Sequence, residues 1–187
     1  ERRWFNEGLS QLAEHLNGFH PRYIGAGNLA EFLNAPDHRL DGWSFDFDIG
    51  RYYGASYLFM VYLYERFGLD FIRAVAANDY DGLASVQQTL KTEGHALSVD
   101  DVFADWIVAN LLDDPFAGDG RYYYQTLDLP DGIRPQKLDV GPGGFQIGDT
   151  VNQYGADYYA LARGTYQLSF DGSDQASVLD LMPPDSE

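Results

Sequence analysis

Residues 4–14 read Trp4-Phe5-Asn6-Glu7-Gly8-Leu9-Ser10-Gln11-Leu12-Ala13-Glu14. At 100° per residue, Phe5, Leu9, Leu12, Ala13 and Leu16 fall on one side, the i, i+3, i+4, i+7 pattern of a helix that faces a core. Glu7, Gln11 and Glu14 fall on the opposite side. By periodicity alone that polar side is an ordinary solvated face.

The wording of the stretch supports a sharper reading. The run W-x-N-E-G-L-S-x-x-A-E resembles the third-ligand helix of gluzincin-type zinc metallopeptidases, in particular hyicolysin-like and immune-inhibitor-like secreted bacterial peptidases. There it follows an H-E-x-x-H helix. The resemblance implies that Glu7 is the third protein ligand to zinc, and that Glu14 is a second acid with a structural role. Such chemistry needs three protein ligands and one open position for water. Two histidines at i and i+4 on one helix and a carboxylate from a second helix supply the ligands. The second helix must come close, and a glycine beside the ligand, here Gly8, permits that. The resemblance covers residues 1–125 well and the rest more loosely.

One element of the family pattern is missing. The four histidines are His15, His20, His38 and His95, and no two are four residues apart. The chain also begins at Glu1, without a methionine, close to the motif. The expectation is therefore a C-terminal part of a longer protein, whose missing N-terminal part carries the two-histidine helix, and which is inactive alone.

The net charge of −17 argues against nucleic acid and anionic membranes as partners, since both call for basic patches. The absence of cysteine excludes disulfides, thiol catalysis and thiolate metal sites. No apolar run reaches membrane-spanning length. The 14 tyrosines and 12 phenylalanines suit both a packed core and a secreted enzyme. The resemblance implies extracellular localisation and a protein or peptide substrate.

Along the chain, residues 18–52 carry many glycines and prolines and read as an irregular binding segment, with a short helical piece near Asn28–Leu33. Trp43, Phe45 and Phe47 alternate with polar residues, as a short strand would, or as an aromatic wall of a substrate cleft. Asp46-Phe47-Asp48-Ile49-Gly50 looks like the start of a calcium loop, but the remaining ligands are absent. Tyr53 to Phe67 is apolar on all sides and predicts a buried helix ending at Gly68. Tyr52 and Tyr53 stand at its start. The resemblance places near here a tyrosine that donates to the oxyanion of the tetrahedral intermediate, which a neutral phenol does without losing its proton. In aminopeptidase relatives that tyrosine stands three residues before the glycine, a position held here by Arg51. Tyr53 is the preferred candidate and Tyr52 the second, and packing of the helix start is the plain reading of either.

Three shorter helices follow: Phe71–Ala77 capped by Asp70, one begun by Asp81 and ending at Gly94, and one begun by the variant capping box Ser98-Val99-Asp100-Asp101 and running to Leu111. Beyond Gly118-Asp119-Gly120 the period changes to two. Strands are predicted at Tyr122–Leu129, Tyr154–Ala162, Thr165–Phe170 and Ser177–Leu181. The fold class expected is mainly α: residues 1–119 as the helical C-lobe of a gluzincin catalytic domain, then residues 120–187 as a β-rich, β-sandwich-like module.

The function expected is that of a fragment of a secreted zinc endopeptidase. Two other classes compete. In the first, the chain is a non-catalytic peptide- or glycan-binding module built on the aromatic loop. In the second, it is a glycoside hydrolase using Glu7 and Glu14. Seven residues of helix rise about 10.5 Å, beyond the ~6.5–9.5 Å between the carboxyls of inverting enzymes, so the second is set aside.

Overall fold

A helical run that is apolar on every side, such as the one that begins at Tyr53, is driven to the interior. In the computed structural model, which describes residues 3–19, 26–45, 47–129, 132–139, 144 and 147–169, that run is one of six helices. In chain order they are α1 (Arg3–Leu16), α2 (Ala26–Asn34), α3 (Ile49–Phe67), α4 (Leu69–Ala77), α5 (Leu83–Thr92) and α6 (Val99–Leu112). Two short strands follow, β1 (Gln136–Leu138) and β2 (Tyr159–Leu161). The protein is mainly helical with a small β segment.

Every residue of α3 from Gly54 to Leu63 is buried, and α1 and α2 both lie against it. Glycines bring them close. A methyl group added at Gly8 of α1 would sit 2.8 Å from the Ser56 carbonyl oxygen and 2.9 Å from Met60 Cγ. Added at Gly54 of α3, it would collide with the Asn28 carbonyl of α2; at Gly50, with the Glu31 carboxylate. α6 closes the cluster through Trp106, which stacks on Phe32 at 5.6 Å and meets Phe59 edge-on at 5.2 Å. Offset and edge-to-face ring pairs of this kind add to plain burial.

The helix ends follow local chemistry. Ser98 and Asp101 form the reciprocal capping box: Asp101 N–H donates to Ser98 Oγ at 3.1 Å, and Ser98 N–H to Asp101 Oδ2 at 2.7 Å. Gly68, at φ 89°, ends α3 in a conformation closed to other residues, and its N–H donates to the Tyr64 carbonyl. It is also the N-cap of α4, so Asp70 lies inside the first turn instead of capping it, and pairs with Arg73 at 2.8 Å. Helix α3 begins at Ile49, four residues earlier than its apolar run suggested, because Gly50 and Gly54 let its first turns dock on α2.

The positions expected for the individual strands need correction. Tyr122–Leu129 forms no strand. Three consecutive N–H groups at its centre are taken by side chains: Tyr124 N–H donates to Asp113 Oδ1 at 3.0 Å, and Gln125 and Thr126 N–H to the Glu65 carboxylate at 2.9 and 2.8 Å. A backbone satisfied in this way cannot also form a ladder. Within Tyr154–Ala162 only Tyr159–Leu161 pairs, parallel to Gln136–Leu138. Upstream of it, the Tyr154 carbonyl accepts from Leu40 N–H and Ala156 N–H donates to the Pro36 carbonyl. Residues 165–169 form no strand, and Phe170 and Ser177–Leu181 lie outside the described residues. Tyr124, Leu127 and Ile133 belong to the same buried cluster as the helices, and Tyr158 Oη donates to the Ile107 carbonyl at 2.7 Å.

Candidate functional site

Glu7 lies in the second turn of α1, half-exposed, and pairs with Arg3 one turn earlier at 3.5 Å. Both side chains reach solvent, so the pair contributes little to stability. Arg3 also stands over the rings of Phe45 (4.5 Å) and Trp43 (5.7 Å). The turn that carries Glu7 is tied to α3 by Gln11, whose Nε2 donates to the Glu7 carbonyl at 3.4 Å and to the Tyr53 carbonyl at 3.3 Å. Glu14 is half-buried in the last turn of α1, where its carbonyl accepts from Phe19 N–H.

The buried side of α1 is not the one its apolar stripe marked. Trp4, Phe5 and Leu12 are buried, but so are Gly8, Gln11 and His15, while Leu9 is only partly buried, Ala13 is exposed and Leu16 is 39 % exposed. The close approach at Gly8 turns the helix so that its centre line, not its apolar edge, meets α3.

Tyr52 and Tyr53 lie in the first turns of α3, 100° apart, and go to different neighbours. Tyr53 packs edge-on against Trp43 at 4.9 Å, and its carbonyl takes the Gln11 amide. Tyr52 meets the His38 ring edge-on at 4.0 Å and Trp43 at 5.6 Å. Trp43 therefore touches both tyrosines, and Arg3 links it to Glu7. Of the aromatic wall, Phe45 is 69 % exposed and Phe47 fully exposed.

His38 is buried, and its Nε2 has no hydrogen-bond partner; Trp43 Nε1 has none either. Burial holds the His38 imidazole below its ordinary value, against the pull of Asp48 and Asp37 and with a smaller push from Arg51. His38, Gln11 and His15 carried no signal in the apolar pattern. For the last two a signal existed: Glu7, Gln11 and His15 stand four residues apart and so share one line along the helix.

Among the described residues no three of His, Cys, Asp and Glu come together as a metal-holding group, around Glu7 or elsewhere. Asp46, of the calcium-like run, lies outside the described residues, and Asp48 stands at the N-cap of α3 with no side-chain capping bond. A cavity of about 150 Å³ opens elsewhere, beside the two-stranded sheet, lined by Arg134, Gln136, Asp149, Asp157 and Tyr159 among others. None of the candidate residues lines it. No helix among the described residues is long and apolar enough to cross a membrane. Comparison with protein-family models, with characterised proteins and with solved structures finds no match to this chain.

Proposed function

We propose that this chain is the C-terminal part of a secreted zinc endopeptidase and that Glu7 is its carboxylate ligand to the metal. The observation that carries the reading is the joint placement of Glu7 and Tyr53: one buried amide, Gln11 Nε2, bonds the carbonyls of both. The helix turn that carries a half-exposed carboxylate and the turn that carries a phenol are thus joined through their backbones. In this reading two histidines from a helix preceding the motif would complete the donor set, and the bound metal would supply polarisation of the substrate carbonyl and an acidified water. This chain's own part is to hold the carboxylate, to donate from Tyr53 to the developing oxyanion, and to seat a peptide against Trp43, Phe45 and Phe47.

The test is metal content and peptidase activity in the full-length protein. Glu7→Ala should lose both, and Glu14→Ala should lose stability first. Residues 1–187 alone should be proteolytically silent, because one carboxylate does not make a catalytic site. Stoichiometric zinc in the full-length Glu7→Ala protein would overturn the assignment.

A second reading draws on the exposure of Phe45 and Phe47. A non-catalytic module that binds peptide or glycan on this aromatic face needs no zinc. A full-length protein without H-E-x-x-H that still binds peptide would favour it.

A further inference from the structure

Between α1 and α3 runs a line of polar contacts that a packed helix interface does not need. Gln11 is 7 % exposed and His15 9 %. Buried polar groups of this kind are retained only when hydrogen-bonded, and both are. Gln11 bridges the Glu7 and Tyr53 carbonyls. His15 Nδ1 lies 2.9 Å from Tyr57 Oη, and His15 Nε2 lies 2.9 Å from Thr126 Oγ1. Thr126 Oγ1 in turn reaches the Glu65 carboxylate.

The proton positions along this chain follow from what each group can do. An ionised carboxylate only accepts, so the single Thr126 hydroxyl proton goes to Glu65. Thr126 Oγ1 then accepts from His15, which puts the imidazole proton on Nε2. In the neutral imidazole Nδ1 is then left as an acceptor, and Tyr57 donates to it. Burial raises the Tyr57 phenol well above its ordinary value, which keeps it a donor. The chain has one direction, Tyr57 to His15 to Thr126 to Glu65, and it joins α3, α1 and the 122–129 segment.

We propose that Gln11 and His15 are positioning residues: they clamp the Glu7 turn of α1 against the Tyr53 turn of α3, so that carboxylate and phenol address the same substrate. Gln11 sits one turn from Glu7 and His15 two turns away on the same line. Tyr53 and Tyr57 are one turn apart on α3. Two helices pinned at two points along a shared line can neither slide nor rotate against each other. Gly8, one turn before Gln11, faces Ser56 and Met60, and a methyl group there would collide with both. The inference rests on the roles given above to Glu7 and Tyr53, but the clamp itself is tested without them.

The first experiment uses the wild-type chain. Long-range 1H–15N spectra at neutral pH should show His15 as a single tautomer protonated on Nε2. Thr126→Val, which removes the acceptor and keeps the shape, should abolish that single tautomer. A wild-type His15 protonated on Nδ1, or exchanging between tautomers, would overturn the clamp whatever Glu7 does. The second uses the full-length peptidase. Gln11→Leu keeps the volume but loses the bridge. It should bind zinc about tenfold more weakly and turn over about tenfold more slowly, with KM little changed, as loss of a supporting group does. Wild-type zinc affinity and kcat in Gln11→Leu would overturn the positioning role. Retention of zinc by Glu7→Ala is a different failure: it removes the metal reading and leaves the His15 tautomer as found.

Discussion

At the scale of the residue, Tyr53 and Tyr52 differ by 100° on one helix, and that rotation separates their neighbours. Tyr53 shares the Gln11 bridge with Glu7; Tyr52 is wedged between His38 and Trp43. If the proposed peptidase reading holds and Tyr53 donates to the oxyanion, Tyr53→Phe in the full-length protein should cut turnover by about 10²–10³ and leave zinc content unchanged. Near-normal turnover would assign Tyr53 to packing and make Tyr52→Phe the next variant. His38 gives a pH prediction. Its folded-state value is lowered, chiefly by burial. Above about pH 6.5 both folded and unfolded states hold it neutral. Below that the unfolded chain takes up a proton that the folded chain refuses, so stability falls as pH drops towards the lowered folded value. The melting temperature should therefore fall more steeply from pH 7.5 to 5 in the wild type than in His38→Phe, which keeps the ring. Parallel declines would show that His38 contributes no pH-dependent part.

At the scale of the element, the α1–α3 and α2–α3 contacts depend on missing side chains. Gly54→Ala should destabilise by about 1–3 kcal/mol or more, because the obstruction is the Asn28 backbone and not a side chain that can turn away. Gly27, at the start of α2, is the control. A methyl group there meets nothing within 4 Å, and Gly27→Ala should be neutral or stabilising by up to about 1 kcal/mol. Denaturant midpoints at equal slope would measure both. Equal effects at the two positions would mean that helix propensity, not close approach, governs them.

At the scale of the whole molecule, the segment after residue 119 is part of the core. Tyr124 is fully buried, with Leu127 and Ile133 beside it, and Tyr124 Oη donates to Asn110 Oδ1 at 2.6 Å. Burying a large apolar side chain contributes about 1.5–3 kcal/mol, and a domain's net stability is only about 5–15 kcal/mol. Losing three such side chains, with the hydrogen bonds to Glu65 and Asp113, removes most of that margin. A chain ending at Asp119 should therefore melt far below the whole chain or fail to unfold cooperatively. Equal melting temperatures for the two would show that the helices stand alone.

What the sequence determined by itself is local. The apolar run of α3, the Ser98–Asp101 box and the glycine after Phe67 each act within one or two turns, and the structure places helices and ends from them. Glu7, Tyr52 and Tyr53 were readable as candidates because the wording around them resembles a known motif. Tertiary structure decided the rest. An alternating run such as Tyr122–Leu129 becomes a strand only if its N–H groups find another strand. Here Asp113 and Glu65 reach them first, the latter from sixty residues away in sequence. In the same way Gln11 and His15 look like a solvated face until Gly8 lets α3 approach. What lies opposite a side chain is set by packing between distant segments, and no periodicity within one segment encodes it.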